Sequence, residues 1–315
     1  MLNMKDKVKF VIFGGTGFLG RSLVDNLINE NNNHIYVITR NKDKAKLLFS
    51  KIKSSNFHIE ECDVNNLQNL LELKLECDYA VNFASDSTNG PKLEKLVVIS
   101  QMIQASNNIL LWANKNVKVK YLYASSGAVY KDKDKSETVK LDLEFKDLAN
   151  AYANTKLLCE ELCKTNSEIN GLDYIITRIF AVAGWHIPTT NHYAFGNFLN
   201  SLLNKENIVL NSDGKSLRSY IDQRDFASTI KKLLLKDVNQ KIYNIGSEEK
   251  ISIFELANKF SKFGDLDITV NDLKKTELRS NYIPNLDRVK KEKILSQEYN
   301  LDDTIIDSYK KLLST

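Results

Sequence analysis

Apolar residues fall into short blocks separated by amphipathic stretches, an order that predicts alternating strands and helices. Val8 to Phe13 (VKFVIF) is nearly continuous in apolar side chains, as expected of a strand buried on both faces of a parallel sheet. An amphipathic helix, Arg21 to Asn29, comes next. Further strands are expected at Ile35 to Thr39 (IYVIT), Phe57 to Glu60, Tyr79 to Phe83 (YAVNF) and Val119 to Ala124 (VKYLYA). Long helices are expected at Leu93 to Asn114 and at Leu148 to Lys164, the latter free of Gly and Pro. On the first of these, Leu96, Val97, Ile99, Met102, Ile103, Ile109, Leu110 and Trp112 cover more surface than one sheet-facing stripe needs. The excess fits either a helix of a second subunit or burial between sheet and loops.

The turn after the first strand reads Gly14-Gly15-Thr16-Gly17-Phe18-Leu19-Gly20. Glycines at this spacing, between a strand and a helix, permit a tight turn and let the backbone and helix N-terminus approach a pyrophosphate. Gly14, Gly17, Phe18 and Leu19 are therefore candidate dinucleotide contacts. At the end of the second strand, about 20 residues on, an NAD site usually carries an acid for the ribose 2′-hydroxyl. Here Thr39-Arg40-Asn41-Lys42 offers none. An arginine there can grip a 2′-phosphate, which favours NADP(H) over NAD(H); alternatively Arg40 stacks on adenine as a surface cation. Asp63 is placed to meet the adenine or to cap the following helix, and Ala84 and Ser85 leave room beside the middle of the cofactor.

The chain has 315 residues, 43% hydrophobic and 27% charged, enough for a substantial core. A formal charge of +4 is too small to imply a nucleic-acid partner. Four cysteines, Cys62, Cys77, Cys159 and Cys163, form no CxxC and lie near no histidine pair, so reduced thiols and no metal are expected. The polar start and the lack of any long apolar run predict a cytoplasmic protein with no membrane partner. His186 and His192 share a loop, Trp185 to Phe195, that either lines a pocket or faces solvent. Asp222 and Asp225 are expected to orient their own loop.

Tyr152 and Lys156 stand four residues apart on one helix face, an arrangement expected to acidify the phenol. Ser126, in Ser125-Ser126-Gly127-Ala128-Val129-Tyr130 after the fifth strand, is placed to hydrogen-bond a substrate oxygen, or merely to turn the chain.

GGTGFLG, SSGAVY and YxxxK, in that order, resemble an extended short-chain dehydrogenase/reductase, the superfamily of nucleotide-sugar epimerases, dehydratases and 4-ketoreductases. Thr177 to Gly184 resembles its LRxFNVYG strand, Arg218 to Asp225 its RDFIHVDD block, and Tyr243 to Gly246 its returning YNIG strand. The resemblance implies a Rossmann domain, residues 1 to 176, and a smaller, interleaved C-terminal α/β domain, residues 177 to 315, with the strand near 242 to 246 rejoining the large sheet. It also implies that Ser126 holds the substrate oxygen, Tyr152 exchanges the proton, and Lys156 tunes the tyrosine and binds the nicotinamide ribose. Asn197, Arg218 and Arg279 would hold a nucleotide-diphosphate sugar, and a homodimer is expected.

Departures narrow the activity. The 4,6-dehydratases carry Thr-Asp-Glu where this chain has Ser126-Gly127-Ala128, so elimination of water is not expected. Ala181 replaces an asparagine common in the superfamily. The Thr39-Arg40 arrangement resembles NADPH-consuming reductases of deoxysugars. The sequence therefore points to a reductase of a nucleotide-linked 4-keto-6-deoxy sugar supplying a surface polysaccharide. A nucleotide-sugar 4-epimerase with retained NAD is the alternative. A silent dinucleotide-binding regulator is the third reading, and it would not need the intact Ser/Tyr/Lys set.

Overall fold

The computed structural model describes residues 7–85, 95–130, 151–190, 193–271 and 281–314. The first half alternates strand and helix: β1 Val8–Phe13, α1 Phe18–Leu27, β2 Asn33–Thr39, α2 Lys42–Leu48, β3 Phe57–Glu61, α3 Leu67–Glu72, β4 Cys77–Asn82, α4 Lys95–Asn116, β5 Val117–Ser126, α5 Ala151–Asn170 and β6 Tyr174–Ile179. The second half has shorter strands: β7 Ala181–Ala183, α6 Ala194–Asn204, β8 Ile208–Leu210, β9 Leu217–Arg218, β10 Tyr220–Asp222, α7 Gln223–Leu235, β11 Ile242–Ile245, β12 Ile251–Ser252, α8 Ile253–Gly264, β13 Ile268–Val270, β14 Asn281–Tyr282, α9 Asp287–Lys291 and α10 Leu301–Leu313.

Seven parallel strands form the main sheet in the order β11-β6-β5-β4-β1-β2-β3. The order reverses between β1 and β4, leaving a crevice at the carboxyl ends of the strands where ligands bind in such sheets. The apolar run of β1 divides by pleat: Phe10 and Ile12 pack on α1, α2 and α7, whereas Val11 and Phe13 pack on α4 and α5. Both faces are thus covered, as a doubly wound sheet requires. The strand at Tyr243 joins this sheet beside β6, with Tyr243 opposite Thr177.

A third apolar cluster, built on Phe195, Phe198, Leu199, Leu256 and Phe260, unites α6, α8 and α10 with the small β8-β13 pair. Next to it β9 pairs with β12 and β14. This smaller α/β assembly sits over the carboxyl end of the main sheet, since Phe18 packs against both it and the main core.

The excess apolar surface of α4 finds several partners within the chain. Met102, Ile109, Leu110 and Trp112 are buried, and the Trp112 indole donates to Leu73 O at 3.0 Å. Gln104 and Asn108 tie the helix to the loop after β3 through Asn65 O and Val64 O. Val97 and Leu111 remain exposed.

Candidate active site

The turn between β1 and α1 has the shape its glycines foretell. Gly14 lies at φ +75°, and a Cβ there would stand 2.7 Å from the Phe83 carbonyl carbon, so only glycine fits. Gly17 is the N-cap of α1 and supplies no side-chain bond to the first turn, which also contains no acid. The helix therefore begins at Phe18, three residues before the amphipathic pattern becomes visible, and its unsatisfied N–H groups and positive dipole end face the crevice. An uncapped helix terminus behind a turn with no room for side chains fits the pyrophosphate of a dinucleotide. The backbone of Gly14, Gly17, Phe18 and Leu19 would hold it there.

The other sequence-derived cofactor residues lie along the same edge. Arg40 follows β2 and is exposed, and Asp63 follows β3 and is exposed. The cap of α3 is Asn66, which accepts from the Gln68 and Asn69 N–H groups. Asp63 instead accepts from Asn65 N at 3.0 Å and shapes the preceding turn. The loop holding Arg40 is not purely cationic, because Glu61 on β3 accepts from Lys42 N at 3.0 Å. Ala84 follows β4, with its N–H on the Asn82 amide oxygen at 3.0 Å.

A cleft of about 1350 Å³ opens beside the glycine turn. Its walls bring together Phe18, Leu19, Ser126, Tyr152, Asn197 and Arg218, residues separated by up to 200 positions in the chain. Tyr152 stands in the first turn of α5, where its hydroxyl faces Ser126 and Ser85. The Ser85 hydroxyl is buried and completes no protein hydrogen bond of good geometry. Arg279 lies outside the described residues, as do Asp86 and His192.

Lys156 is one turn further along α5 and buried, with Nζ donating to Ala124 O at 2.8 Å and standing 5.8 Å from the Tyr152 ring centroid. Burial pulls its pKa down to about 8. The expected acidification of the phenol is not what the geometry produces. Burial raises the Tyr152 pKa above the ordinary tyrosine value, and the polar hydroxyls of Ser126 and Ser85 beside it offset only part of this. Spacing placed the ammonium on the correct face, but the lysine stem carries it under the ring to a backbone carbonyl instead of up to the hydroxyl.

Several functional neighbours had no sequence signal. Tyr282, on the two-residue strand β14, puts its hydroxyl 3.2 Å from Ser126 Oγ. Tyr220 and Tyr193 also line the cleft. Phe180 packs so closely on the turn after β5 that a Cβ on Gly127 would lie 2.7 Å from its ring. A carboxylate at 127 would have to displace that ring, and Ala128 carries none.

Other expectations resolve on outer elements. Asp222 caps α7 through Arg224 N, whereas Asp225 accepts from the N–H groups of Glu298 and Tyr299, well beyond its own loop. His186 is half-buried and bonded to Asp25 of α1 at 2.7 Å; its neighbours Ile187 and Tyr193 reach the cleft. All four cysteines are free and buried. Among the described residues no helix is long and apolar enough to cross a membrane.

Known proteins share this fold. The chain superposes on a UDP-N-acetylglucosamine 4-epimerase from Methanobrevibacter ruminantium M1, solved with UDP-N-acetylmuramic acid, with a TM-score of 0.83 and 24% identity, covering 99% of both chains. A UDP-glucuronic acid 4-epimerase from Bacillus cereus, solved with UDP-glucuronic acid and NAD, gives a TM-score of 0.80 at 21% identity, covering 98% of this chain and 99% of that one. In sequence, the chain is 26% identical over 264 residues to a UDP-N-acetyl-alpha-D-glucosaminuronate decarboxylase of Bacillus cytotoxicus, covering 80% of this chain and 78% of that enzyme. It is 25% identical over 277 residues to a dTDP-D-glucose 4,6-dehydratase of Dictyostelium discoideum, covering 82% of this chain and spanning only 63% of that protein's length. The model of the NAD dependent epimerase/dehydratase family matches residues 10–246, from β1 through the returning strand β11. With the glycine turn and that match in agreement, the chain belongs to the NAD dependent epimerase/dehydratase family.

Proposed function

We propose that this chain is an NADP(H)-dependent reductase of a nucleotide-linked 4-keto-6-deoxy sugar. The observation that carries the reading is the convergence of Ser126 and Tyr152 on one cleft, with Lys156 buried one helical turn behind and the phenol held protonated by its burial. The dinucleotide, when bound at the glycine turn, supplies the hydride. The protein's residues handle the oxygen and its proton. Ser126 and the unpaired Ser85 hydroxyl orient the sugar's C4 oxygen, Tyr152 gives it the proton that reduction demands, and Lys156, buried beneath the ring, is assigned to the nicotinamide ribose. A phenol that rests in its protonated form is poised for this direction. Asn197 and Arg218 line the same cleft, where a nucleotide diphosphate would extend; Arg279 is given a diphosphate-binding role by the family resemblance alone. Residues 1 to 176 serve the cofactor, and residues 177 to 315 serve the sugar nucleotide. Exposed Val97 and Leu111 on α4 support a homodimer through that helix, in the cytoplasm.

NADPH is favoured by Arg40 and by the absence of an acid at the end of β2. Dehydration is disfavoured by the Gly127 and Ala128 pair. A nucleotide-sugar 4-epimerase with retained NAD is the second reading, favoured by the likeness to solved 4-epimerases. The deciding experiment supplies NADPH or NADH with UDP-, dTDP-, CDP- and GDP-linked 4-keto-6-deoxyglucose. A reductase oxidises NADPH in proportion to sugar reduced, and Arg40→Ala then weakens NADPH use about tenfold while sparing NADH. Interconversion of two nucleotide sugars with no net change at the nicotinamide band would replace this reading with the epimerase.

A further inference from the structure

Tyr282 occupies a position that neither the reaction nor the cofactor explains. Its hydroxyl lies 3.2 Å from Ser126 Oγ and donates to Ile179 O at 3.2 Å, while Ala128 N donates to the same Ser126 oxygen at 3.2 Å. Ser126 thus sits between two phenols, Tyr152 from α5 and Tyr282 from the opposite wall. The ring of Tyr282 packs on Phe180 at 4.7 Å between centroids with the planes tilted by 39°, and the Arg218 guanidinium carbon lies 6.0 Å from its centroid.

How Tyr282 arrives there matters. The strand β14 is only two residues long and gains its place by pairing with β9, with Tyr282 in register with Arg218. One register pair therefore carries both a residue of the diphosphate end of the cleft and a contact to the serine at its reacting end. A serine hydroxyl has one proton and rotates freely unless its neighbours fix it. With the Tyr282 proton on Ile179 O, the Ser126 proton is parked on the Tyr282 oxygen. When a substrate oxygen draws the serine proton away, Tyr282 can turn its own O–H onto Ser126 Oγ, leaving the serine a better donor.

We infer that Tyr282 is a positioning residue that sets the direction of the Ser126 hydroxyl, held in place by the smaller assembly. This rests on the proposed role of Ser126 at the substrate oxygen. It assigns Tyr282 no proton transfer to the sugar. Burial raises its pKa far above the ordinary value, so it stays a neutral phenol while Tyr152 works.

Tyr282→Phe is the test, because it keeps the ring contact with Phe180 and the cation contact while removing only the hydroxyl. In a high-resolution crystal structure of Tyr282→Phe soaked with NADPH, Ser126 is expected to populate a second rotamer. A single rotamer, unchanged from wild type, overturns the inference. With the 4-keto sugar panel, kcat is expected to fall about tenfold with KM within about twofold, and Ser126→Ala with Tyr282→Phe should be no slower than Ser126→Ala alone. Additive losses in the double variant overturn it too. If wild type oxidises NADPH with none of the four sugars, the proposed reaction fails, and the Ser126 rotamer still decides the role of Tyr282.

Discussion

Two cations lie buried around α5, and the fold treats them in opposite ways. Arg178 on β6 is 1% exposed and meets Glu160 of α5 with Nε at 3.0 Å and Nη2 at 2.7 Å. Ser125 donates to the same carboxylate, and the ring of Tyr130 lies 5.0 Å from the guanidinium carbon. Burial by itself would lower the Arg178 pKa, but the Glu160 contacts outweigh it and hold the group above the ordinary arginine value. Lys156, 4% exposed and one helical turn before Glu160, has no carboxylate partner among the described residues. It has a backbone carbonyl and two aromatic rings, and burial brings it to about 8. A chain able to pair a buried cation one turn away has left this one unpaired, beside the cleft. Arg178 fastens α5 to the sheet, whereas Lys156 carries a charge whose environment is costly and therefore responsive.

Breaking the paired side should give the largest effect. Glu160→Gln keeps the shape and the acceptor oxygen but leaves a buried guanidinium uncompensated, which should cost about 3 kcal/mol, read as a lower midpoint in urea at unchanged slope. A midpoint equal to wild type would mean the pair contributes nothing net.

Removing the unpaired side should act in the opposite direction. The folded protein binds the Lys156 proton less tightly than the unfolded chain, whose lysine titrates near 10.5. The penalty is therefore fully present below pH 8 and is relieved as pH rises from about 8 toward 10.5. Lys156→Met should stabilise the protein by about 2 kcal/mol at pH 7, after allowing for the lost bond to Ala124, while abolishing turnover. The gain should vanish by about pH 10, and a pH-independent gain would count against a buried ammonium. For the same reason, wild-type turnover should decline as pH rises through about 8.

The smallest effect sharpens the contrast. Ser125→Ala removes one donor to Glu160 without touching the ion pair and should cost about 1 kcal/mol in the same urea titration. A loss as large as that of Glu160→Gln would show that the serine, not the arginine, anchors the carboxylate.

The parts of this picture that were readable in advance are those in which one short segment sets its own environment. The unbroken apolar run of β1, the glycines after it and the helix behind them require one another, so turn and anion site could be read together. The Tyr152 and Lys156 faces followed from helical spacing, but spacing does not fix where a long lysine stem places its ammonium, and the protonated phenol was missed for that reason. The Arg178 pair was not read, although its signal was present: a charge inside Ile175-Ile176-Thr177-Arg178-Ile179 needs a buried partner, and Glu160 lies one turn beyond Lys156. Tyr282 was not legible. Two residues make no periodic signal, and their position depends on pairing with β9 across more than 60 residues of chain.

The proposed proton exchange between Tyr152, steadied by Ser126 and underlain by Lys156, and a sugar oxygen in the cleft is read from the rate of NADPH oxidation by wild type and Tyr152→Phe with the 4-keto sugar panel, at pH 7 and equal cofactor occupancy. Wild type should consume NADPH in proportion to sugar reduced, and the variant should be slower by about 10³, because general acid catalysis contributes on that order. A variant that turns over as fast as wild type would contradict it.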